Sequence, residues 1–273
     1  MPPNLDIRVL FCYSPEVLAN TYYNLAQLEE DNQGLCALTQ DMLRKNVYMY
    51  NVSVTLVKTE KVDNLQTQFG IHRNCLLDWQ FNKLSECTLP ETANQYPSMF
   101  PDDFINGLLQ LKADNKATVL VLQALLCSAS ASGIPLYSKG HASMIGVRES
   151  KENVVAIGRA SRLKGIKLSS RPTVILTHEF GHLMGCRHPK GTKAGYDSTE
   201  GNSHGHCIED AAGNMVQGTI MSYAKKKVFY FSNPHFFRYS EPHQDKPCGI
   251  LGESEAYKTV NLNIQKLAGI FLP

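Results

Sequence analysis

No stretch of the 273 residues approaches 18 consecutive apolar positions, so the sequence offers no membrane-spanning helix. Charge of one sign is also missing: 27 Lys and Arg face 25 Asp and Glu, a formal net charge of +2, and the basic residues are not grouped with aromatics. A nucleic-acid-binding surface therefore has little support. Internal repeats, low-complexity tracts and a glycine loop of the phosphate-binding kind are absent as well, which sets aside solenoids and P-loop nucleotide sites. The first residues, Met1-Pro2-Pro3-Asn4-Leu5-Asp6, carry neither the basic nor the apolar region of a secretory signal. What remains, 43% hydrophobic and 19% charged, is the composition of an ordinary globular chain, expected to form one domain over residues 1–273.

Against that plain background one segment stands out, His178-Glu179-Phe180-Gly181-His182-Leu183-Met184-Gly185-Cys186-Arg187-His188, which spells HExxHxxGxxH. Histidines four apart share one face of a helix, about 5–6 Å apart at Cβ. Both imidazoles can then reach one tetrahedral Zn²⁺ at roughly 2.0–2.1 Å. A straight helix cannot deliver a third ligand to the same point, so the chain has to reverse, and Gly185 stands where a left-handed C-cap without a Cβ allows it. His188 completes the triad. Three protein ligands leave the fourth position to water, as in catalytic zinc sites, and Glu179 is placed to take a proton from that water and return one to a leaving amine. At average residue usage a chance match to the five fixed positions is on the order of one in a hundred thousand. The pattern therefore outweighs a core helix with incidental histidines. The apolar run from Arg171 to Thr177, with Ser169 or Ser170 as N-cap and Pro172 in the first turn, predicts that the motif lies on a helix.

Downstream, Thr219-Ile220-Met221-Ser222-Tyr223 is similar to the Met-turn of the metzincins, whose extended zinc motif is the one quoted above. The chain resembles a metzincin metallopeptidase. From Gly205-His206 through Met221 to Phe231-Ser232-Asn233-Pro234 it is similar to reprolysin-like and peptidyl-Asp metallopeptidases, while Pro189, after the third histidine, resembles the serralysins. The resemblance implies that Met221 lies under the metal as a hydrophobic base without binding it. It implies that Tyr223 sits beside the zinc, where its hydroxyl can bind metal or stabilise an oxyanion. It also implies an upper lobe of residues 1–188, a lower lobe of 189–273, and a late strand forming a sheet edge on which a peptide substrate adds as an extended strand.

The fold class expected is α/β (α+β): a mixed twisted sheet with a zinc-binding helix, a Met-turn and a C-terminal helix. Strands are expected at Leu5–Cys12, Val52–Val57, Ala117–Leu122, Ala142–Arg148 and Asn153–Ile157. Helices are expected over Pro15–Lys45, interrupted at Gly34, over Phe104–Leu111, and over Ser254–Phe271, whose apolar positions 256, 260, 264, 267 and 271 keep helical period. Residues 60 to about 100, with Cys75, Trp79, Cys87, Pro90 and Pro97, read as a helical turn and a long loop. Lys225-Lys226-Lys227 reads as a solvated run; a lysine turned into the cleft would instead favour an acidic substrate side chain. His204 and His206, in a glycine-rich loop, invite a second metal, but a Gly-His element without a zinc role is the expectation. Eight cysteines, at 12, 36, 75, 87, 127, 186, 207 and 248, allow 105 complete pairings and point to oxidising surroundings.

The sequence thus leads to a zinc-dependent endopeptidase with one catalytic Zn²⁺, ligands His178, His182 and His188, base Glu179 and auxiliary Tyr223. It is expected to be monomeric and secreted, disulfide-bonded and acting as a virulence factor, or else an effector delivered without a cleavable signal. Its partner is a protein or peptide substrate, with no nucleic acid and no membrane span. The alternatives are a catalytically silent metzincin-like binding module, which would be expected to have lost the base or a ligand, and a zinc hydrolase of a non-protein amide.

Overall fold

The segment Asn4–Tyr13, alternating at first and apolar throughout from Val9, forms β1, the strand around which the rest is built. The structure, a computed structural model, describes residues 2–21, 24–63, 65, 102–125, 140–142, 153–159, 172–190, 201–224 and 226–270. Successive side chains of a strand point to opposite faces. Leu5, Ile7, Val9 and Phe11 accordingly enter one buried cluster, and Leu10 and Cys12 another. A strand buried on both faces belongs inside a parallel sheet. β1 pairs in parallel with β2 (Asn51–Lys61) on one side and β3 (Val119–Leu125) on the other. β3 pairs in parallel with β5 (Val154–Arg159), and β4 (Gly140–Ala142) closes the order β2-β1-β3-β5-β4 as an antiparallel edge. The chain is thus mixed α/β, with a four-stranded parallel sheet and one antiparallel edge strand.

Helices cover both faces. α1 (Pro15–Thr21) is short. In α2 (Leu25–Asn46) the buried positions Leu28, Asn32, Leu35, Cys36, Thr39, Met42, Leu43 and Asn46 keep to one face. Gly34, expected to break this helix, does not. It lies on the face where an added Cβ would meet nothing, so the helix passes through it at a cost of about 1 kcal/mol relative to Ala. The break comes instead at Asn24, whose side chain accepts from the Gln27 amide while Gln27 reaches back to the Asn24 amide, a capping box. α3 (Asp102–Asp114) packs Leu108 against the Leu10 side of the sheet.

On the other face lie α2, α4 (Pro172–Leu183) and α5 (Ala256–Leu267). Leu176, Phe180 and Leu183 of α4, three and four apart, enter the main core together with Val260, Ile264 and Leu267 of α5. Two asparagines of α5 tie this layer together. Asn261 Nδ2 donates to the Asn46 carbonyl at the end of α2, at 2.9 Å. Asn263 Nδ2 donates to the Met184 carbonyl just past α4, also at 2.9 Å. Terminal helix carbonyls without intrahelical partners are satisfied by these amides. A second, three-stranded sheet carries β6 (Cys207–Glu209), β7 (Met215–Gly218) and β8 (Lys226–Lys227), with β6 antiparallel and β8 parallel to β7.

The expected elements at Leu5–Cys12, Val52–Val57 and Phe104–Leu111 all form, each somewhat longer than drawn, and the strand expected from Asn153 runs from Val154 to Arg159. The strand expected from Ala117 starts at Val119, and α5 starts at Ala256. Of the expected strand Ala142–Arg148 only Ala142 is described. Ser169, Ser170, Arg171, Phe271 and the segment holding Cys75, Trp79, Cys87, Pro90 and Pro97 lie outside the described residues. None of the described helices is long and apolar enough to cross a membrane.

The expected disulfides are not formed among the described cysteines: Cys12, Cys36, Cys186, Cys207 and Cys248 are all thiols, while Cys75, Cys87 and Cys127 lie outside the described residues. Cys12, Cys36 and Cys186 are buried core hydrophobes whose thiols burial pushes up, to about 12 for the first two. Cys207 is half-buried, and its thiol rises only to about 11, through burial and then the charge of Glu209. Thiolate supply and access set alkylation rates. Of the five, native protein treated with iodoacetamide without reductant is expected to be labelled at Cys207 before Cys12, Cys36 or Cys186, and mass spectrometry after unfolding should find all five labelled. A bridge at any of them would overturn the assignment.

Candidate metal centre

Every part of the HExxHxxGxxH segment is described, and its geometry follows from how α4 ends. The Cys186 amide donates to the Gly181 carbonyl at 2.8 Å and the Gly185 amide to the His182 carbonyl at 2.9 Å, the paired bonds of a Schellman motif. Gly185 takes φ +99° at the position this motif requires to be left-handed, as its place in the sequence predicts. The chain then runs back along the Ser203–Gly205 segment. The Arg187 amide donates to the Ser203 carbonyl at 3.0 Å and the Gly205 amide to the Arg187 carbonyl at 2.8 Å. His204, fully buried, fixes the next residue: its Nδ1–H donates to the His188 carbonyl at 2.8 Å.

His178, His182 and His188 converge, as expected from the spacing. The Nε2 of His188 lies 3.2 Å from that of His178 and 3.0 Å from that of His182. Two tetrahedral bonds of about 2.0–2.1 Å would put donor nitrogens roughly 3.3 Å apart, close to these separations. The far side of each ring is held by the protein. His178 Nδ1–H donates to the Ile220 carbonyl at 2.8 Å, and His182 Nδ1–H to the Cys186 carbonyl at 2.8 Å. A carbonyl only accepts, so in both rings the proton is on Nδ1 and Nε2 presents its lone pair. The Tyr223 hydroxyl lies 2.9 Å from His188 Nδ1, and the two rings lie 4.3 Å apart between centroids, tilted by 36°. The lone pairs of His178 and His182 thus aim at one point beside His188 Nε2, and partners on the far nitrogen are the usual support of histidine ligands. The residues present fit a divalent metal with nitrogen ligands. Among the described residues this is the one group of three or more His, Cys, Asp or Glu able to hold an ion.

Electrostatics agree with that donor set. Burial, then the neighbouring His182, Lys227 and His188, hold His178 well below the usual imidazole range, with the Ile220 hydrogen bond opposing. A neutral imidazole is the form that binds metal. Glu179 is 4% exposed, and burial pushes its carboxyl up to about 8 while Lys227 opposes. A carboxyl in that range can both accept and return a proton near neutrality.

The Thr219–Tyr223 turn packs against the end of α4 and against Gly205. Met221 is fully buried, and its thioether fills the space that a Cβ on Gly181 would need. This accounts for a glycine in the last turn of α4. Gly205 is required for the same reason from below, since a Cβ there would come 2.9 Å from Met221 Cβ and 3.0 Å from its carbonyl carbon. The turn is closed by the Ser222 amide and hydroxyl, both donating to the Thr219 carbonyl at 3.0 and 2.8 Å. Tyr223 is 49% exposed and faces outward from the turn.

Sequence reasoning missed two positioning groups. His204, considered as a second-metal ligand, instead holds the His188 backbone, and His206 Nδ1 pairs with the Tyr239 hydroxyl at 2.9 Å. No spacing rule marks such backbone support. Lys227, read as part of a solvated run, turns inward, and its Nζ donates to the Ile220 carbonyl at 3.1 Å; Lys226 is exposed and Lys225 lies outside the described residues.

No family model matches the chain, and no curated protein matches it. Among solved structures it is similar to a chain described as "Structure of a chaperone-substrate complex", at 17% identity and a TM-score of 0.55, over 98% of this chain and 36% of that one. At that identity the likeness concerns fold alone. This chain spans little more than a third of the length of the one it matches.

Proposed function

We propose that the chain is a zinc-dependent endopeptidase of the metzincin type. The observation that carries the proposal is the convergence of three imidazole Nε2 atoms, each ring backed by a protein partner on Nδ1, with the buried Glu179 next in sequence to the first ring. Nitrogen-only donors in this number are those of catalytic zinc sites. When bound, zinc would polarise a substrate carbonyl and make water a better nucleophile near neutral pH. The chain's own groups do the rest. Glu179 takes the proton from the attacking water and passes it to the departing amine. β4, the antiparallel edge strand, offers backbone groups for an extended peptide.

Digestion of casein and of a mixed peptide library by metal-analysed protein tests this reading, before and after chelation and zinc return. Cleavage of internal peptide bonds that is lost with the metal and regained with it is the expected result. Metal-loaded protein that leaves all peptides intact would overturn it, and hydrolysis of small non-peptide amides alone would favour the amide-hydrolase alternative.

Tyr223 is given an auxiliary role, with its hydroxyl shared between His188 and the oxyanion that forms at the carbonyl. Tyr223→Phe is expected to lower kcat by about 10²–10³-fold, the usual cost of one oxyanion donor, with little change in KM. The measurement is made at saturating zinc. An unchanged kcat there, with weaker zinc binding, would confine the hydroxyl to orienting His188.

A further inference from the structure

Lys227 reaches the first ligand through a shared acceptor. Its backbone is fixed by pairing of Lys227 with Gly218 across β7 and β8 and by the Val228 amide donating to the Gly218 carbonyl at 2.9 Å. From that anchor the half-buried side chain brings Nζ to 3.1 Å from the Ile220 carbonyl oxygen. The same oxygen accepts His178 Nδ1–H at 2.8 Å. A carbonyl has two lone pairs and can take both donors. They nevertheless draw on one centre of electron density.

When a ligand histidine is backed by a carboxylate, its ring becomes more basic and donates more strongly to the metal. An ammonium on the backing carbonyl works in the opposite sense. It withdraws density from the oxygen, weakens the pull on His178 Nδ1–H and leaves Nε2 the poorer donor. The charge of Lys227 acts in the same direction, because a fixed positive group in a poorly hydrated site opposes a cation. That charge is felt at both His178 and Glu179.

We propose that Lys227 is a positioning residue which, through the Ile220 carbonyl and His178, holds the site below its attainable metal affinity and so keeps a bound cation strongly electron-withdrawing toward substrate. The inference rests on reading the three histidines as a metal site. It assigns to the inward lysine a role that a solvated charge would not have, and it predicts that affinity and turnover move in opposite directions.

The test compares wild type with Lys227→Met, which keeps the apolar stem, Lys227→Gln, which keeps a donor without charge, and Lys227→Arg, which keeps the charge. Zinc affinity is measured by competition with a chromophoric chelator, the ligand field by visible absorption of the cobalt-substituted protein, and kcat and KM on one peptide. Melting of the metal-free proteins confirms folding. The Met and Gln variants are expected to bind zinc about tenfold more tightly, the lower end of what partners of ligand histidines contribute. Their cobalt spectra should shift and kcat fall with KM little changed, while the Arg variant stays near wild type. Zinc affinity unchanged or weakened in a Met or Gln variant that melts like wild type would overturn the proposal, as would an Arg variant that tightens equally. Wild-type protein that binds no zinc would sink the metal reading itself, independently of any variant.

Discussion

Glu179→Ala is expected to keep the fold and the metal while losing about 10²–10⁴-fold in kcat, the range for removal of a positioned general base. The three imidazoles owe their orientation to Ile220, Cys186 and Tyr223, and none of those contacts involves Glu179. Metal content should therefore stay at the wild-type value. A variant cleaving within a few fold of wild type would show that another group takes the proton. The same burial carries a stability signature in the metal-free protein, where the Glu179 carboxyl rises from 4.5 to about 8. A carboxyl raised on folding contributes its full stability below its unfolded pKa, and that contribution is lost as pH rises through the folded value. Glu179→Gln does not titrate, so its Tm relative to wild type is expected to climb between pH 4.5 and about 8 and level off above. A flat difference across that window would show that the carboxyl is not held in a desolvated place.

Much of this site was legible because its chemistry is local. His178 and His182 lie one helical turn apart, and Gly185 marks the reversal that returns His188, so three converging imidazoles and a turn follow from eleven consecutive residues. The sheet was legible for a related reason: Val9–Cys12 and Val119–Leu122 are apolar on both faces, as a covered parallel sheet accommodates. What stayed hidden depends on contacts between distant residues. Asn261 and Asn263 end up at the carboxyl ends of α2 and α4, and His204 reaches the His188 backbone, through hydrogen bonds that leave no periodic trace. Lys227 shows the same limit from the other side. Consecutive lysines look alike in composition, and the pairing of β8 with β7 sets Lys227 inward while Lys226 is exposed. Gly34 misled because a glycine weakens a helix by less than the burial of α2 restores, so local propensity lost to packing.

Removing one ligand is expected to erase the link between metal and stability. In wild type the free energy of zinc binding adds to that of folding, so zinc at a hundredfold over its Kd should stabilise by about 2.7 kcal/mol. For a chain of this size each kcal/mol shifts Tm by about 2–4 °C, so zinc should raise the melting temperature by roughly 5–11 °C. His188→Ala should remove most of that response together with the activity. Its side chain comes from beyond the Schellman turn and makes no part of the main core, while its backbone remains held by His204. The metal-free variant should therefore melt close to metal-free wild type. His182→Ala should lose the zinc response equally, but its metal-free form should also melt lower. His182 is buried at 7% exposure and bonds the Cys186 carbonyl within the turn that ends α4, so its truncation leaves a cavity and a carbonyl without that donor. The contrast between the two variants separates ligand from scaffold. A His188→Ala protein that still gains the full zinc-dependent shift would place the metal elsewhere and remove the basis for the proposed chemistry.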